Sequence, residues 1–237
     1  MLPITQPLGR ETRQLIQEIW TEVSLDAARI SLRLESLTQA LRVHGTTQSV
    51  LQMALRAIED LKKEATASGK LAAEFGRNKP LEPPSRPGPL APVTLSIDQK
   101  VLYEAVYIGC VYAPIYGSIA GTIYEQSRWP SIKLAAHLVF ESRVWQGRLG
   151  WAHLSAAIEQ VETAWLEPFI QPMLEHAISS TYAVYRPQDT ATLGHGVLDK
   201  ATFADVVRNV VNTTILPGFE SLDYQIDEAR LWMRGLK

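Results

Sequence analysis

Apolar residues recur at alternating spacings of four and three along the first part of the chain. The series keeps this heptad spacing without a gap, and the residues between its members are mostly charged. Such a pattern predicts one long helix with a narrow apolar seam along one side. The seam consists of Ile16, Trp20, Val23, Ala27, Ile30, Leu34, Leu37 and Leu41.

A second helix is predicted directly after the seam. The pattern breaks at His44, where Gly45 is suited to end a helix and Thr46 or Thr47 to begin the next one. A new apolar stripe follows at Leu51, Ala54, Ile58 and Leu61. Two helices joined by so short a turn fold back on each other, so residues 1–77 are predicted to form an antiparallel helical hairpin.

Proline content divides the chain after this hairpin. Six of the fourteen prolines fall between Asn78 and Val93. Because proline fixes φ and removes a backbone donor, residues 78–95 are predicted to be an extended, proline-rich spacer. Its segment Arg86-x-x-Pro89-x-x-Pro92 also has the form of a polyproline ligand, although the same spacing arises by chance in proline-rich spacers.

The next segment, residues 105–124, carries no charge and is bracketed by Glu104 and Glu125. Its Val, Ile, Tyr and Thr residues suit strands as well as helices, so two short strands around Pro114 are an alternative to a buried helix. In the helical interpretation, small residues recur every four positions on one face, where another backbone can approach closely. These helix-packing residues are Gly109, Ala113, Gly117 and Gly121.

Amphipathic helical patterns continue to the end of the chain. Apolar residues at helical spacing occur around Ile132–Phe140, Leu154–Trp165, Ile170–Tyr185, Phe203–Val211 and Phe219–Met233. The predicted fold class is therefore all-α. It comprises the N-terminal hairpin, the proline-rich spacer and a bundle of about five helices in residues 96–237.

Composition and charge exclude several functional classes. The net charge is −2 and the pI about 6.2, and no segment has the cationic surface of a nucleic-acid binder, so no nucleic acid is expected as a partner. The single cysteine, Cys110, excludes an intrachain disulfide and fits a reducing compartment. The N-terminus lacks the pattern of a secretory signal, and a cytoplasmic location is expected.

The enzyme class that a helical bundle suggests is a carboxylate-bridged dimetal site. The chain offers Glu104, Glu141, Glu159, Glu162 and Glu175 with His137, His153 and His176. Such sites use Glu-x-x-His pairs, however, and this chain contains none. His195 lies between two glycines without an identifiable catalytic partner, and Gly-x-Ser-x-Gly is absent. The sequence therefore predicts no catalytic residue, metal site or cofactor, and a non-enzymatic role is favoured.

The function that the pattern favours is a helical assembly or structural subunit, which associates with itself or with a helical partner through apolar helix faces. A two-helix module with one seam gains most by self-association, so the expected interface is Ile16, Trp20, Val23, Ile30, Leu34, Leu37 and Leu41. The first alternative is a membrane-associated protein, because twenty uncharged residues are just long enough to span a bilayer core. The bundle metalloenzyme is the second alternative.

Overall fold

A computed structural model of the chain describes residues 8–77, 82, 84, 87–190 and 193–235. Within those ranges the regular structure is helical, and the only β pairing is an isolated bridge between Gln188 and Asp199. The all-α class is confirmed. The helices are α1 (Arg10–Val43), α2 (Gln48–Glu74), α3 (Ile97–Val106), α4 (Ala113–Gln126), α5 (Pro130–Ile158), α6 (Glu167–Tyr185), α7 (Lys200–Val210), α8 (Leu216–Glu220) and α9 (Asp227–Gly235).

The first two helices form the predicted N-terminal pair. Gly45 has a φ of +73°, a left-handed conformation that glycine adopts without strain. Thr47 Oγ1 caps α2 by accepting a hydrogen bond from the Val50 amide at 3.5 Å. All seven of the predicted interface residues on α1 are buried within this single chain, where α1 packs on α2, α3 and α6. Self-association through the seam would therefore require α1 to separate from its own chain.

The uncharged segment is helical throughout, because α3, a π-helical turn at Tyr107–Tyr112 and α4 run on as one helix. Pro114 explains the wide turn, since proline cannot donate to the carbonyl four residues before it and its ring clashes there. The amide of Ala113 instead bonds to the carbonyl of Ile108, five residues back. A second π-helical turn, Val211–Ile215, precedes Pro217 in the same way and joins α7 to α8.

The predicted C-terminal bundle of about five helices is also confirmed. Counted as continuous helices, it contains the α3–α4 helix, α5, α6, the α7–α8 helix and α9. The α3–α4 helix lies at its centre and contacts α5, α6 and α7.

The hairpin and the bundle share one core. Their buried side chains form a single cluster, in which α2 packs along α5. Residues 87–96 of the connection contain no helix or strand, and Ala91 and Leu90 fasten this stretch to the core. The spacer residues 78–81, 83, 85 and 86 lie outside the described ranges, and with them Arg86 of the polyproline pattern.

Candidate functional site

One arginine and two carboxylates meet in the interior, where α1, α2 and α5 pack together. Arg143 comes from α5, Asp26 from α1 and Glu64 from α2. The side chains of Arg143 and Glu64 are 1% and 0% exposed, and that of Asp26 is 14% exposed. Charged residues are almost never fully buried unless they are paired, so this buried charge cluster is the most unusual chemistry in the described chain.

The Arg143 guanidinium is the hub of the cluster. Its Nη2 donates to Glu64 Oε1 at 2.7 Å and to Asp26 Oδ2 at 3.3 Å. Its Nη1 donates to Gln146 Oε1 at 3.1 Å. Ser142 Oγ donates to the other oxygen of Glu64, and the Tyr112 hydroxyl donates to Asp26 Oδ2 at 2.7 Å. Both carboxylates therefore have a cation and a hydroxyl as partners.

Aromatic rings enclose the guanidinium on the side of the α3–α4 helix. The carbon Cζ of Arg143 lies 4.1 Å from the ring centroid of Tyr116 and 5.5 Å from that of Tyr112. Such contacts stabilise a desolvated cation by about 2 kcal/mol. Gly117 leaves room for the arginine, because a Cβ at this position would stand 3.0 Å from Arg143 Cβ.

Burial dominates the titration of the two acids. Desolvation raises the pKa of Glu64 to about 7, against the attraction of Arg143. Burial likewise raises the pKa of Asp26. Desolvation on its own would lower the pKa of Arg143, but the neighbouring Glu64, Tyr112 and Asp26 raise it above its ordinary value. Two carboxylates facing one guanidinium leave one negative charge in excess, so the cluster favours taking up a proton.

The geometry suits a structural link better than a reaction centre. The charged groups of Arg143 and Glu64 are shielded from solvent, only Asp26 is partly exposed, and the cluster ties both hairpin helices to α5. Removing one partner of such a buried pair leaves an uncompensated charge, which is strongly destabilising. The cluster therefore fixes how the hairpin seats on the bundle.

Three glycines of the predicted helix-packing stripe face α5. A Cβ on Gly109 would lie 2.5 Å from Gly150 Cα, and one on Gly121 would lie 3.4 Å from the Phe140 ring. Gly117 faces Arg143, as described above, and Ala113 is fully buried. The stripe thus allows the close approach of the α3–α4 helix to α5, and it gives Arg143 its space.

The candidate metal ligands do not come together. His137 and Glu141 form an exposed pair on α5, with 3.4 Å between Nε2 and Oε1. His176, on α6, lies against the ring of Tyr107, and burial lowers the pKa of His153 on α5. In the described part of the chain, no group of three or more His, Cys, Asp or Glu side chains could hold a metal ion.

Sequence reasoning missed all three charged members of the cluster, although the positions of Glu64 and Arg143 carry a signal. Glu64 lies three residues after Leu61, on the buried face of α2 that continues to Ser68 and Leu71. Arg143 lies seven residues after the buried Ala136 on the same face of α5. A charge at a core position of an amphipathic helix indicates a buried partner.

A surface groove runs between α2 and α5, with a volume of about 580 Å³. Its apolar members are Ala67, Leu71, Ala135 and Leu134, of which Leu134 is 61% exposed. We call this feature the α2/α5 groove. Its lining residues are Lys62, Lys63, Thr66, Ala67, Lys70, Leu71, Glu74, Ser131, Leu134 and Ala135.

Comparisons with protein-family models, with curated proteins and with solved structures find no match to this chain. Among the described residues, one helical segment, Ile97–Gln126, is long and apolar enough to cross a membrane, and 78% of its most apolar window is buried within the protein. A buried core helix of a soluble protein can meet the same criteria of length and apolar composition.

Proposed function

We propose that this protein is a non-enzymatic helical subunit that binds an acidic amphipathic helix of a partner protein in the α2/α5 groove. Leu134 is the observation on which this proposal rests. Its side chain is 61% exposed on a helix whose opposite side is buried in the core. A leucine exposed beside an apolar groove favours a binding surface over an ordinary solvated face.

The shape of the groove supports a helical ligand. Its α2 residues, from Lys62 to Glu74, recur every three or four positions, which keeps them on one side of the helix over about 18 Å. A partner helix buries side chains at positions i, i+3 or i+4, and i+7 in such a groove. Leu134 and the partly exposed Ala67 offer the apolar surface that these anchors need.

The charges of the groove support an acidic ligand. Three lysines line it, against one acid, Glu74. Lys62 and Lys63 are held only in exposed ion pairs, with Glu35 at 2.8 Å and Asp60 at 2.9 Å, and such pairs contribute little stability. Lys70 makes no ion pair with any residue that the structure describes. Acidic side chains flanking an apolar stripe would complement this rim.

This proposal keeps the association through apolar helix faces but moves it away from the seam. The seam residues already pack within one chain, whereas Leu134 has no such cover. The alternative occupant is a second copy of this protein, which would make the same surface a self-association interface.

A pair of synthetic helical peptides tests the proposal. The first carries leucines at i, i+3, i+4 and i+7 with glutamates beside them, and the control peptide has lysines in place of the glutamates. We expect the acidic peptide to bind more tightly, with an affinity that falls as salt rises. Fluorescence anisotropy measures both affinities. Equal binding of the two peptides would contradict the proposal.

Substitutions then locate the binding surface. Leu134→Asp should weaken binding of the acidic peptide by about tenfold or more, because the substitution removes an apolar contact and adds a charge of the same sign as the peptide's. Leu231→Asp is the matched control, since Leu231 is 65% exposed on α9, away from the groove. Light scattering behind a sizing column distinguishes the occupants: a discrete oligomer that Leu134→Asp dissociates would identify a second copy as the ligand.

A further inference from the structure

A cleft between the last helices of the bundle gathers three arginines from two different helices. It has a volume of about 510 Å³ and lies between the α7–α8 helix and α9. We call it the arginine cleft. Its lining residues are Arg208, Asn212, Arg230, Met233 and Arg234.

The fold brings these residues together through two helical spacings. Arg230 and Arg234 are four residues apart on α9, beside the buried anchor Met233. Arg208 lies in the last turn of α7, and Asn212 follows four residues later within the π-helical turn that precedes Pro217. Such turns are frequent at functional sites, because the extra residue changes the direction of the side chains that it carries.

The guanidinium groups have donors left over. Arg208 Nη1 bonds to Asp205 at 2.7 Å, and Arg230 Nη2 bonds to Glu220 at 2.6 Å. Each guanidinium has five N–H donors, so these exposed pairs use a small part of the capacity. Within the described residues, Arg234 makes no ion pair and the side-chain amide of Asn212 makes no hydrogen bond. Three cations therefore face two neighbouring acids, which leaves an excess positive charge at the cleft.

We propose that the arginine cleft binds the phosphoryl group of a phosphate monoester or diphosphate. Guanidinium groups bond phosphate oxygens in bidentate pairs, and a doubly charged anion can compete with the two exposed acids. The volume of the cleft suits a small molecule. An extended nucleic acid is not favoured, because the chain as a whole carries a net charge of −2. The arginine cleft and the α2/α5 groove lie on different helices, so the phosphate proposal and the proposed binding of a partner helix are tested independently.

Titration calorimetry with inorganic pyrophosphate tests the site on the full chain. We expect saturable binding with a dissociation constant of about 1 mM or below, weakened by added salt. Arg234→Gln and Arg208→Gln should each weaken binding by about tenfold. Arg148→Gln, an exposed arginine on α5, should leave it unchanged. Circular dichroism confirms that the variants fold.

Vesicles distinguish the two sources of a phosphoryl group. If the ligand is a lipid headgroup, phosphatidic acid vesicles should bind the chain in an Arg234-dependent manner and phosphatidylcholine vesicles should not. Binding of pyrophosphate alone identifies a free phosphorylated molecule. The absence of binding to either probe, or binding that both arginine variants retain in full, would overturn the proposal.

Discussion

At the scale of single residues, the buried charge cluster decides how stability responds to pH. Glu64 titrates near 4.5 when solvated and at about 7 in the folded chain. Between these values the folded state binds more protons than the unfolded state, so the free energy of unfolding falls as pH rises. At about 1.4 kcal/mol per pKa unit, the fall amounts to about 3 kcal/mol from pH 4.5 to pH 7.

Glu64→Gln should remove most of this decline, because glutamine keeps the shape of the side chain without the titrating group. Urea denaturation of both proteins at several pH values between 5 and 8 measures the free energy of unfolding as a function of pH. We expect the stability of the variant to equal or exceed that of the wild type at pH 8. A parallel pH dependence in the two proteins would show that Glu64 is not the responsible group.

Arg143→Met tests the other half of the cluster. It leaves Asp26 and Glu64 buried without a cation, which costs roughly 3–5 kcal/mol when they are ionised. The loss should be larger at pH 8 than at pH 5, because Glu64, whose pKa burial raises to about 7, is ionised at the higher pH and protonated at the lower one. Arg148→Met is the control on the same helix and should change stability by about 1 kcal/mol or less, because Arg148 is exposed and its cation–π contact with Trp145 is the interaction it loses. An equal loss at both pH values would assign the role of Arg143 to packing alone.

At the scale of elements, the crossing of the α3–α4 helix over α5 depends on two facing glycines. A Cβ on Gly109 would stand 2.5 Å from the carbonyl oxygen of Gln146, which is backbone and cannot turn aside. The stripe of small residues therefore reflects a close contact between two helix backbones. It is also what brings Tyr112 and Tyr116 against the arginine of the charge cluster.

Gly109→Ala should destabilise the chain by about 1–3 kcal/mol, because the two helices must part to admit the methyl group. Gly147→Ala on α5 is a matched control: its Cβ would lie 3.8 Å from the Gly109 carbonyl oxygen, an ordinary contact. Alanine also has the higher helix propensity, so Gly147→Ala should be neutral or stabilising by up to about 1 kcal/mol. Thermal denaturation compares the two variants. Equal effects on stability would mean that a methyl group at Gly109 fits between the two helices without separating them, which would contradict the prediction.

At the scale of the whole molecule, the hairpin and the bundle fold as one core. The seam of α1, which by itself predicts an interface with another copy, is covered by the rest of the same chain. The charge cluster adds a polar link across the same junction. Association with a partner through the α2/α5 groove would leave this core undisturbed.

Leu34→Asp should consequently unfold the protein, because a carboxylate would replace a fully buried side chain without a cation to pair with it. Leu55→Asp, at an exposed leucine of α2, should leave the fold intact. Circular dichroism and light scattering together measure the outcome. A folded Leu34→Asp protein with a lower mass than the wild type would restore the seam as an intermolecular interface.

The sequence by itself determined the helices of the hairpin, the turn between α1 and α2 and the all-α class, because apolar periodicity and turn chemistry act over a few residues. For residues 105–124 it left strands as an alternative, and the tertiary structure decided for a helix. The small-residue stripe of the sequence also marked the face of the α3–α4 helix that approaches another backbone. Only the tertiary structure decided what covers the seam and which charges meet. Arg143 is separated from Glu64 by 79 positions and from Asp26 by 117, so their contact depends on how whole helices are placed and rotated. Local patterns carry no record of that placement, and the arginine cleft and the α2/α5 groove arise from it in the same way.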